Sequence, residues 1–317
     1  MVVSMLKSLR LVANKLSTFL FSIFFISSAS FFLLRLLPGS PFSSDRHLPA
    51  EVMARMEAKY GLNKPLIEQY FSYISKIFTA FDFGPSLKYP NREVMDILAE
   101  AMPVSFTLGG LAFIIAITAG ISGGIYLGYK TNQKKGFDPL FLILSNYADA
   151  AISLPSFVTA GLLIGLFGLY FNLLPVALWE GPEYMILPAL TLSVGPTAYI
   201  MRITRTAFAN TYEQGYIKTA MAKGLDQFSI LYKHALVNAL LPILAYLGPL
   251  FAILITGSFV VEFVYALPGM GKYFVTAFIN RDYFLVTAVV VVFSAILTAS
   301  NLLVEVLNPL VNPKLRQ

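Results

Sequence analysis

Long apolar stretches separated by short polar ones dominate the chain, and a helix needs about 20 mostly apolar residues to cross a bilayer. Six stretches qualify: Leu16 to Leu37, Val104 to Tyr129, Pro139 to Leu169, Tyr184 to Met201, Leu240 to Val264 and Phe284 to Leu307. The third is long enough to tilt, or to break near Pro155. The pattern predicts an all-α integral membrane protein with six transmembrane helices. The first stretch follows Lys7, Arg10 and Lys15 and contains a Ser-Ala-Ser at 28–30, which imitates a signal peptide. Its apolar run is too long for a signal core and continues past the supposed cleavage site, so a retained span is expected.

Two polar segments break the pattern. Residues 38–100 show helical periodicity from Ala50 to Lys59, a stop at Gly61 and a second amphipathic run from Pro65 to Phe78. Residues 211–242 carry charges at regular intervals between two spans. There, Thr211 with Gln214 fits a capping box. Tyr212, Tyr216, Ile217, Ala220 and Met221 recur at helical spacing. Gly224 is placed to end that helix of about 12 residues, and Asp226 to cap a second one running through His234 toward Leu241 and Pro242.

Composition sharpens the class. Of 317 residues, 57% are hydrophobic and 13% charged, against about 25% charged in soluble domains. With no Cys, disulfides, thiolate metal sites and cysteine nucleophiles are excluded. His47 and His234 lie too far apart in sequence to give a metal-ligand spacing. The net charge is +6. Residues 1–15 carry +3, 130–138 carry +2, 202–234 carry +3 and the tail +2, while 38–100 nets −1. The positive-inside rule puts both termini and the 211–242 segment in the cytoplasm, and 38–100 outside.

Three readings compete for 211–242: an amphipathic helix on lipid headgroups, a DNA-reading helix-turn-helix, and a docking element for a cytoplasmic partner. Spans begin within a few residues on both sides, which keeps the segment from reaching a DNA groove. Ala220, Ala222 and Gly224 offer a small face that another backbone can approach closely. Gly269-Met270-Gly271-Lys272 is the nearest string to a phosphate-binding loop, and it lacks the required spacing. ATP, if used, must be hydrolysed elsewhere.

The segment resembles the type I permease subunits of ABC importers, in which a cytoplasmic Ala-rich helix and a fixed Gly fit a cleft on the ATPase subunit. Lys218-Thr219-Ala220 stands where that family has Glu-Ala-Ala, with Gly224 at the family spacing. The missing Glu is a departure common in the oligopeptide and dipeptide branch, whose pattern is similar to Thr219-Ala220-Met221-Ala222-Lys223-Gly224-Leu225, His234-Ala235-Leu236 and Leu241-Pro242 here. Leu37-Pro38-Gly39-Ser40-Pro41, Ala58 to Pro65, Asp82-Phe83-Gly84-Pro85-Ser86, Met185 to Ala189, Arg202-Ile203-Thr204-Arg205, Glu262 to Gly271 and Asn280-Arg281-Asp282-Tyr283 resemble the oligopeptide permease B family in order and spacing.

The resemblance implies a type I permease fold and a bacterial inner-membrane location. It implies four kinds of partner: a second homologous permease, two ATP-binding subunits, an extracytoplasmic peptide-binding protein and the oligopeptide cargo. ATP and Mg would reside in the partners, with no cofactor on this chain and no nucleic acid. It divides the chain into a cytoplasmic end with the first span (1–37), an extracytoplasmic segment (38–100), a permease core (101–310) with the coupling loop at 211–242, and a tail (311–317). Docking would fall to Lys218, Thr219, Ala220, Met221, Ala222, Lys223, Gly224 and Leu225. Within the branch, the motifs are shared by oligopeptide, dipeptide, nickel and murein-peptide permeases.

The rival class is a self-sufficient, proton-coupled carrier, which places interacting ionisable groups in the membrane centre. Candidates are sparse. Arg35 is expected to snorkel to water, and Glu305 to be solvated. Asp149 reads either as a hydrogen-bonded residue facing a wet cavity or as a substrate contact. Glu262 reads as a gate pair or as a group in interfacial water. Pro268, Gly269, Arg281 and Asp282 complete the gate or pathway candidates. Gly120, Gly124 and Gly128, and Gly161 with Gly165, recur every four residues and permit close helix contact.

Overall fold

A computed structural model describes residues 2–36, 41–42, 50–133, 137–226, 229–230, 235–256 and 258–311. Among them the chain is helical, with a single isolated bridge between Pro85 and Glu93 and no strand. The helices are α1 (Val2–Leu36), α2 (Ala50–Lys59), α3 (Leu66–Ala80), α4 (Val94–Gln133), α5 (Pro139–Ala150), α6 (Ser156–Leu163), α7 (Ile186–Tyr212), α8 (Gly215–Ala222), α9 (Leu236–Thr256), α10 (Phe259–Val264), α11 (Met270–Ile279) and α12 (Tyr283–Val311).

Among the described residues, five segments are long and apolar enough to cross a membrane: Leu16–Leu36, Val94–Thr131, Pro182–Tyr212, Pro242–Val264 and Tyr283–Leu303. The remaining expected crossing, third in chain order, is divided. α5 ends in a 3₁₀ turn at Ala151–Ser153, Leu154 is extended, and α6 restarts after Pro155. Pro155 has no N–H to donate into a helix and disfavours helical geometry in the residue before it, so the break falls where the ring dictates. From Ile164 to Tyr170 the helix widens into a π-helix.

The chain forms two compact units, Met1–Ser105 with Pro268–Ala299, and Phe106–Leu267 with Ser300–Gln317. The first is centred on aromatic packing. Phe31 is fully buried, 5.7 Å from the Tyr73 ring, which is itself 5.7 Å from Phe284. Arg35 does not snorkel as expected. Its guanidinium lies 3.5 Å from the Phe31 ring centroid, and its Nε donates to Gln69 Oε1 at 3.2 Å. Gln69 Nε2 in turn donates to the Leu62 and Lys64 carbonyls at 3.0 and 2.8 Å. The aromatic face and the carboxamide substitute for water around the cation, and so tie α1 to α3.

In the second unit α4 lies against α7 through the predicted glycine row. A Cβ on Gly120 would sit 2.7 Å from Ile200 Cβ, and one on Gly128 would sit 2.8 Å from the Arg205 carbonyl oxygen. Between lipid-embedded helices there is little hydrophobic drive, so this close van der Waals approach is what holds the pair. The second row behaves differently: among the described residues nothing lies within 4 Å of a Cβ built at Gly161 or Gly165.

Candidate functional site

The polar segment after α7 is anchored by an apolar base. Ile217 and Ala220 of α8 are buried with Phe208, Ile230, Ala235 and Ala239, and Tyr129 and Tyr212 pack at the margin. The opposite side of α8 presents Tyr216, Lys218, Thr219, Met221, Ala222, Lys223, Gly224 and Leu225, all exposed. α8 ends as the sequence predicts. Gly224 has φ +76°, its N–H donates to the Met221 carbonyl at 3.0 Å, and the Leu225 N–H donates to the Ala220 carbonyl at 3.3 Å. This closure satisfies carbonyls that the helix end would otherwise orphan. Among the described residues no atom lies within 4 Å of a Cβ built on Gly224, so this surface is open to them as well as conformationally demanding. Asp226 accepts from the Ser229 N–H at 2.9 Å, as a cap should. His234, Lys233 and the rest of residues 231–234 lie outside the described residues, as do Pro38 to Ser40, His47, Lys134, Lys135, Lys314 and Arg316.

Two expectations for this segment are corrected. Thr211 is not an N-cap: α7 continues through Tyr212, and the Thr211 hydroxyl donates back to the Ala207 carbonyl at 2.7 Å. Gln214 instead occupies the N-cap position with an extended backbone, and α8 is 8 residues long. A threonine inside a helix can bond its own i−4 carbonyl, which removes the oxygen a capping box needs. Ala220, expected on the small docking face, belongs to the buried base. Its neighbours Thr219, Ala222 and Gly224 supply the exposed small surface.

Asp138 ties the start of α5 to the end of α4. Its carboxylate accepts from Tyr126 Oη at 2.8 Å, pairs with Lys130 Nζ at 2.8 Å and caps α5 through the Phe141 N–H at 3.2 Å. Hydrogen bonding to Lys130, then to Tyr126 and Phe141, lowers its pKa from 3.8 to about 2. Asp149 stands exposed in the last turn of α5, beside the break.

The gate candidates divide between structural settings. Glu262 is fully buried, with its carboxylate 2.5 Å from the Ser258 hydroxyl, so neither interfacial water nor a solvent-facing position describes it. Its carbonyl accepts the Leu267 N–H at 2.8 Å, closing α10 over Ala266, a non-glycine residue at φ +55°. Nearby, the buried Tyr265 hydroxyl meets Thr191 Oγ1 at 2.7 Å. Pro268 precedes Gly269, the N-cap of α11, and the Met270 N–H donates to Ser105 Oγ at 2.9 Å.

Arg281 adopts φ +56° after α11, and Asp282 starts α12. Asp282 is fully buried. One carboxylate oxygen accepts from the Ser86 hydroxyl at 2.5 Å, the Leu87 N–H at 3.1 Å and the Lys88 N–H at 3.2 Å, and the other accepts from the Leu285 N–H at 3.2 Å. A residue singled out as a gate candidate thus ties the 86–88 turn to the start of α12. Ser86 was visible in the sequence as part of a motif, but its partner lies 196 positions away. Among the described residues no group of three His, Asp or Glu side chains could hold a metal ion.

These features define a polytopic, helical membrane protein with a polar segment between two spans. Residues 120–317 match the family described as "Binding-protein-dependent transport system inner membrane component", and residues 8–109 match its N-terminal companion. The chain belongs to this family and has the type I ABC importer permease fold. It is 41% identical over 310 residues to the oligopeptide transport system permease protein OppB of Haemophilus influenzae, covering 97% of this chain and 99% of that one. It is 42% identical to OppB of Escherichia coli K12, covering 93% and 95%. The dipeptide transport system permease protein DppB of Bacillus subtilis is also 42% identical, with 93% and 94% covered.

Proposed function

We propose that this chain is the permease subunit of an ATP-binding-cassette importer and forms the membrane path for peptides delivered by an extracytoplasmic binding protein. The observation that carries the reading is the 41–42% identity, over nearly the whole chain, to permeases named for oligopeptide and dipeptide transport. A self-sufficient secondary carrier is not favoured by that similarity. A second, homologous permease completes the path, and two ATP-binding subunits hydrolyse ATP with Mg on their own residues. Both termini and the 211–242 loop face the cytoplasm of a bacterial cell whose inner membrane holds the chain, and residues 38–100 lie outside. Asp149, exposed at the break of the third crossing, is a pathway candidate.

The 211–242 loop is the handle that the ATPase grips. Its apolar base on α7 and α9 makes α8 move with those helices, and its outward face offers Thr219, Ala222 and Gly224 for close approach, with Lys218 and Lys223 keeping it in water. Gly224→Arg is expected to leave the chain inserted in the membrane and to abolish co-purification of the ATP-binding subunits. Gly224→Asn, which tolerates the left-handed conformation, should retain them in part. ATPase subunits held normally by Gly224→Arg would refute the handle.

A further inference from the structure

The polar segment between the first two spans contains a helix that follows the first span into the membrane. Gln69, near the start of α3, bonds Arg35 near the end of α1. Tyr70 stacks on Phe32 and meets the Ser28 hydroxyl at 2.8 Å. The Phe78 ring, near the end of α3, lies 6.2 Å from that of Phe24. While α3 advances about 14 Å from 69 to 78, its contacts on α1 retreat about 17 Å from 35 to 24. The two helices therefore run side by side and antiparallel.

Two spans of the same unit fix the depth. Leu16–Leu36 has 21 residues, about 32 Å of helix, and the hydrocarbon is about 30 Å thick. Lys15 before it and Pro38 beyond it leave little room to slide. Tyr283–Leu303 also has 21 residues and is bounded by Asp282 and Glu305. The Arg35 guanidinium lies 5.6 Å from the Tyr283 ring centroid, so the two spans end at one level, the membrane face. Phe24 stands about 12 Å from Leu16 and about 18 Å from Leu36, near the middle of the hydrocarbon, and Phe78 is beside it. Past α3 the chain turns back. Phe81 closes the helix at φ +52°, its N–H donating to the Ile77 carbonyl at 3.1 Å. A Cβ on Gly84 would lie 3.8 Å from the Phe284 ring, and Ser86 bonds Asp282, at the level where Gln69 entered.

The surface of α3 has three arcs. Tyr73 and Ile77 are buried. Ile67, Phe71, Ile74, Phe78 and Phe81 fall on one helical stripe, of which Phe71, Phe78 and Phe81 are 65%, 39% and 73% exposed. This stripe adjoins Phe24 of the first span, itself exposed. Ser72, Ser75, Lys76 and Thr79 form a third arc, also exposed. At this depth acyl chains suit the apolar stripe, whereas a charged group such as Lys76 is costly against lipid and belongs on a water-filled cavity.

We infer that α3 is a re-entrant helix, seated from Gln69 to Phe81 within one half of the bilayer, with its phenylalanine stripe on acyl chains and its Ser72, Ser75, Lys76 and Thr79 arc on a water-filled recess. It enters and leaves by the same face, so residues 38–100 keep to one side of the membrane. Irregular backbone at such depth is tolerated where it packs in protein or lines water, and Phe83 in the returning chain is buried. In the importer proposed above, the recess is the outer mouth of the path; that placement rests on the importer reading, and the insertion does not.

The absence of native cysteine allows a direct test. Single cysteines are placed in the full-length chain by Phe71→Cys, Ser75→Cys, Phe78→Cys and, as a reference in the first span, Phe25→Cys, a position 61% exposed. Each protein is labelled with a nitroxide and reconstituted in liposomes, alone and with the partner subunits added after labelling. Collision rates are read with oxygen, which concentrates in lipid, and with a water-soluble nickel chelate. The label at 78 should match that at 25, with high oxygen access and nickel access about five-fold or more below that at 75. It should lie about 10 Å deeper than the label at 71, seven residues away. Phe81→Cys repeats the deep reading should loss of the Phe24 contact unfold the 78 variant. High nickel access at 71 and 78 would put α3 in water, equal depths would lay it flat on the surface, and low access to both reagents would mean that the second permease covers the stripe; each overturns the inference. A label at 75 as oxygen-rich as that at 78 would refute the recess. The readout needs no transport, so it stands or falls separately from the importer reading, which peptide uptake tests.

Discussion

Replacing Asp282 by Ala should loosen the turn at 86–88 and the start of α12 together. The carboxylate receives four donors, from Ser86, Leu87, Lys88 and Leu285, at 2.5–3.2 Å. An orphaned buried donor costs about 1–3 kcal/mol. Lys88 is exposed and Leu87 half-buried, so those two amides can turn to water and recover most of their loss. Ser86 is buried, and the Leu285 N–H belongs to a buried helix start. Those two donors, the second of which is itself the cap of α12, put the total near 3–4 kcal/mol at about 1.5–2 kcal/mol each. At about 2–4 °C per kcal/mol for chains of similar size, the detergent-solubilised protein should melt roughly 6–16 °C lower. Ser86→Ala removes one of the four donors and should cost about half as much. The double variant should fall short of the sum by about 1–2 kcal/mol, because both single changes remove the same bond. Thermal unfolding of the four proteins, with peptide uptake measured on each, decides the matter. An Asp282→Ala protein that melts like wild type yet fails to transport would refute the structural account and return the carboxylate to the translocation pathway.

The glycine rows make opposite predictions. Gly120→Ala places a Cβ 2.7 Å from Ile200 Cβ and should destabilise the α4–α7 contact by about 1–3 kcal/mol, whereas Gly161→Ala, with open space around it, should not change the melting of the isolated chain. A Gly120→Ala protein as stable as wild type would show that α4 can move aside. Asp138, lowered from 3.8 to about 2 by its hydrogen bonds, contributes stability that is fully present above pH 4 and lost as pH falls through 2. The carboxylate infrared band missing from Asp138→Asn should accordingly titrate near pH 2, and a midpoint near 4 would dissolve the Lys130–Tyr126–Asp138 cluster.

Much of this protein is legible in the linear pattern, for a physical reason. In lipid every backbone polar group must be satisfied within the spanning element, so long apolar runs declare helices. Gly224, Pro155 and the Gly120–Gly128 row were readable because each expresses a local rule about φ, a missing N–H or the absence of a side chain. Local rules failed where an alternative bond was within reach: Thr211 could cap or bond Ala207, and the longer helix α7 won. Distance defeated the sequence elsewhere. Nothing near Asp282 announces Ser86, and nothing near Arg35 announces Gln69. Whether a charge near a span end meets water, an aromatic ring or a set of amides depends on which segments fold beside it. The chain by itself determined its class, its spans, its helix breaks and its family likeness. Only tertiary packing decided that Glu262 and Asp282 are buried, that Ala220 is base and not surface, and that Phe24 and Phe78 meet, because burial and pairing are properties of neighbours brought together from distant parts of the chain.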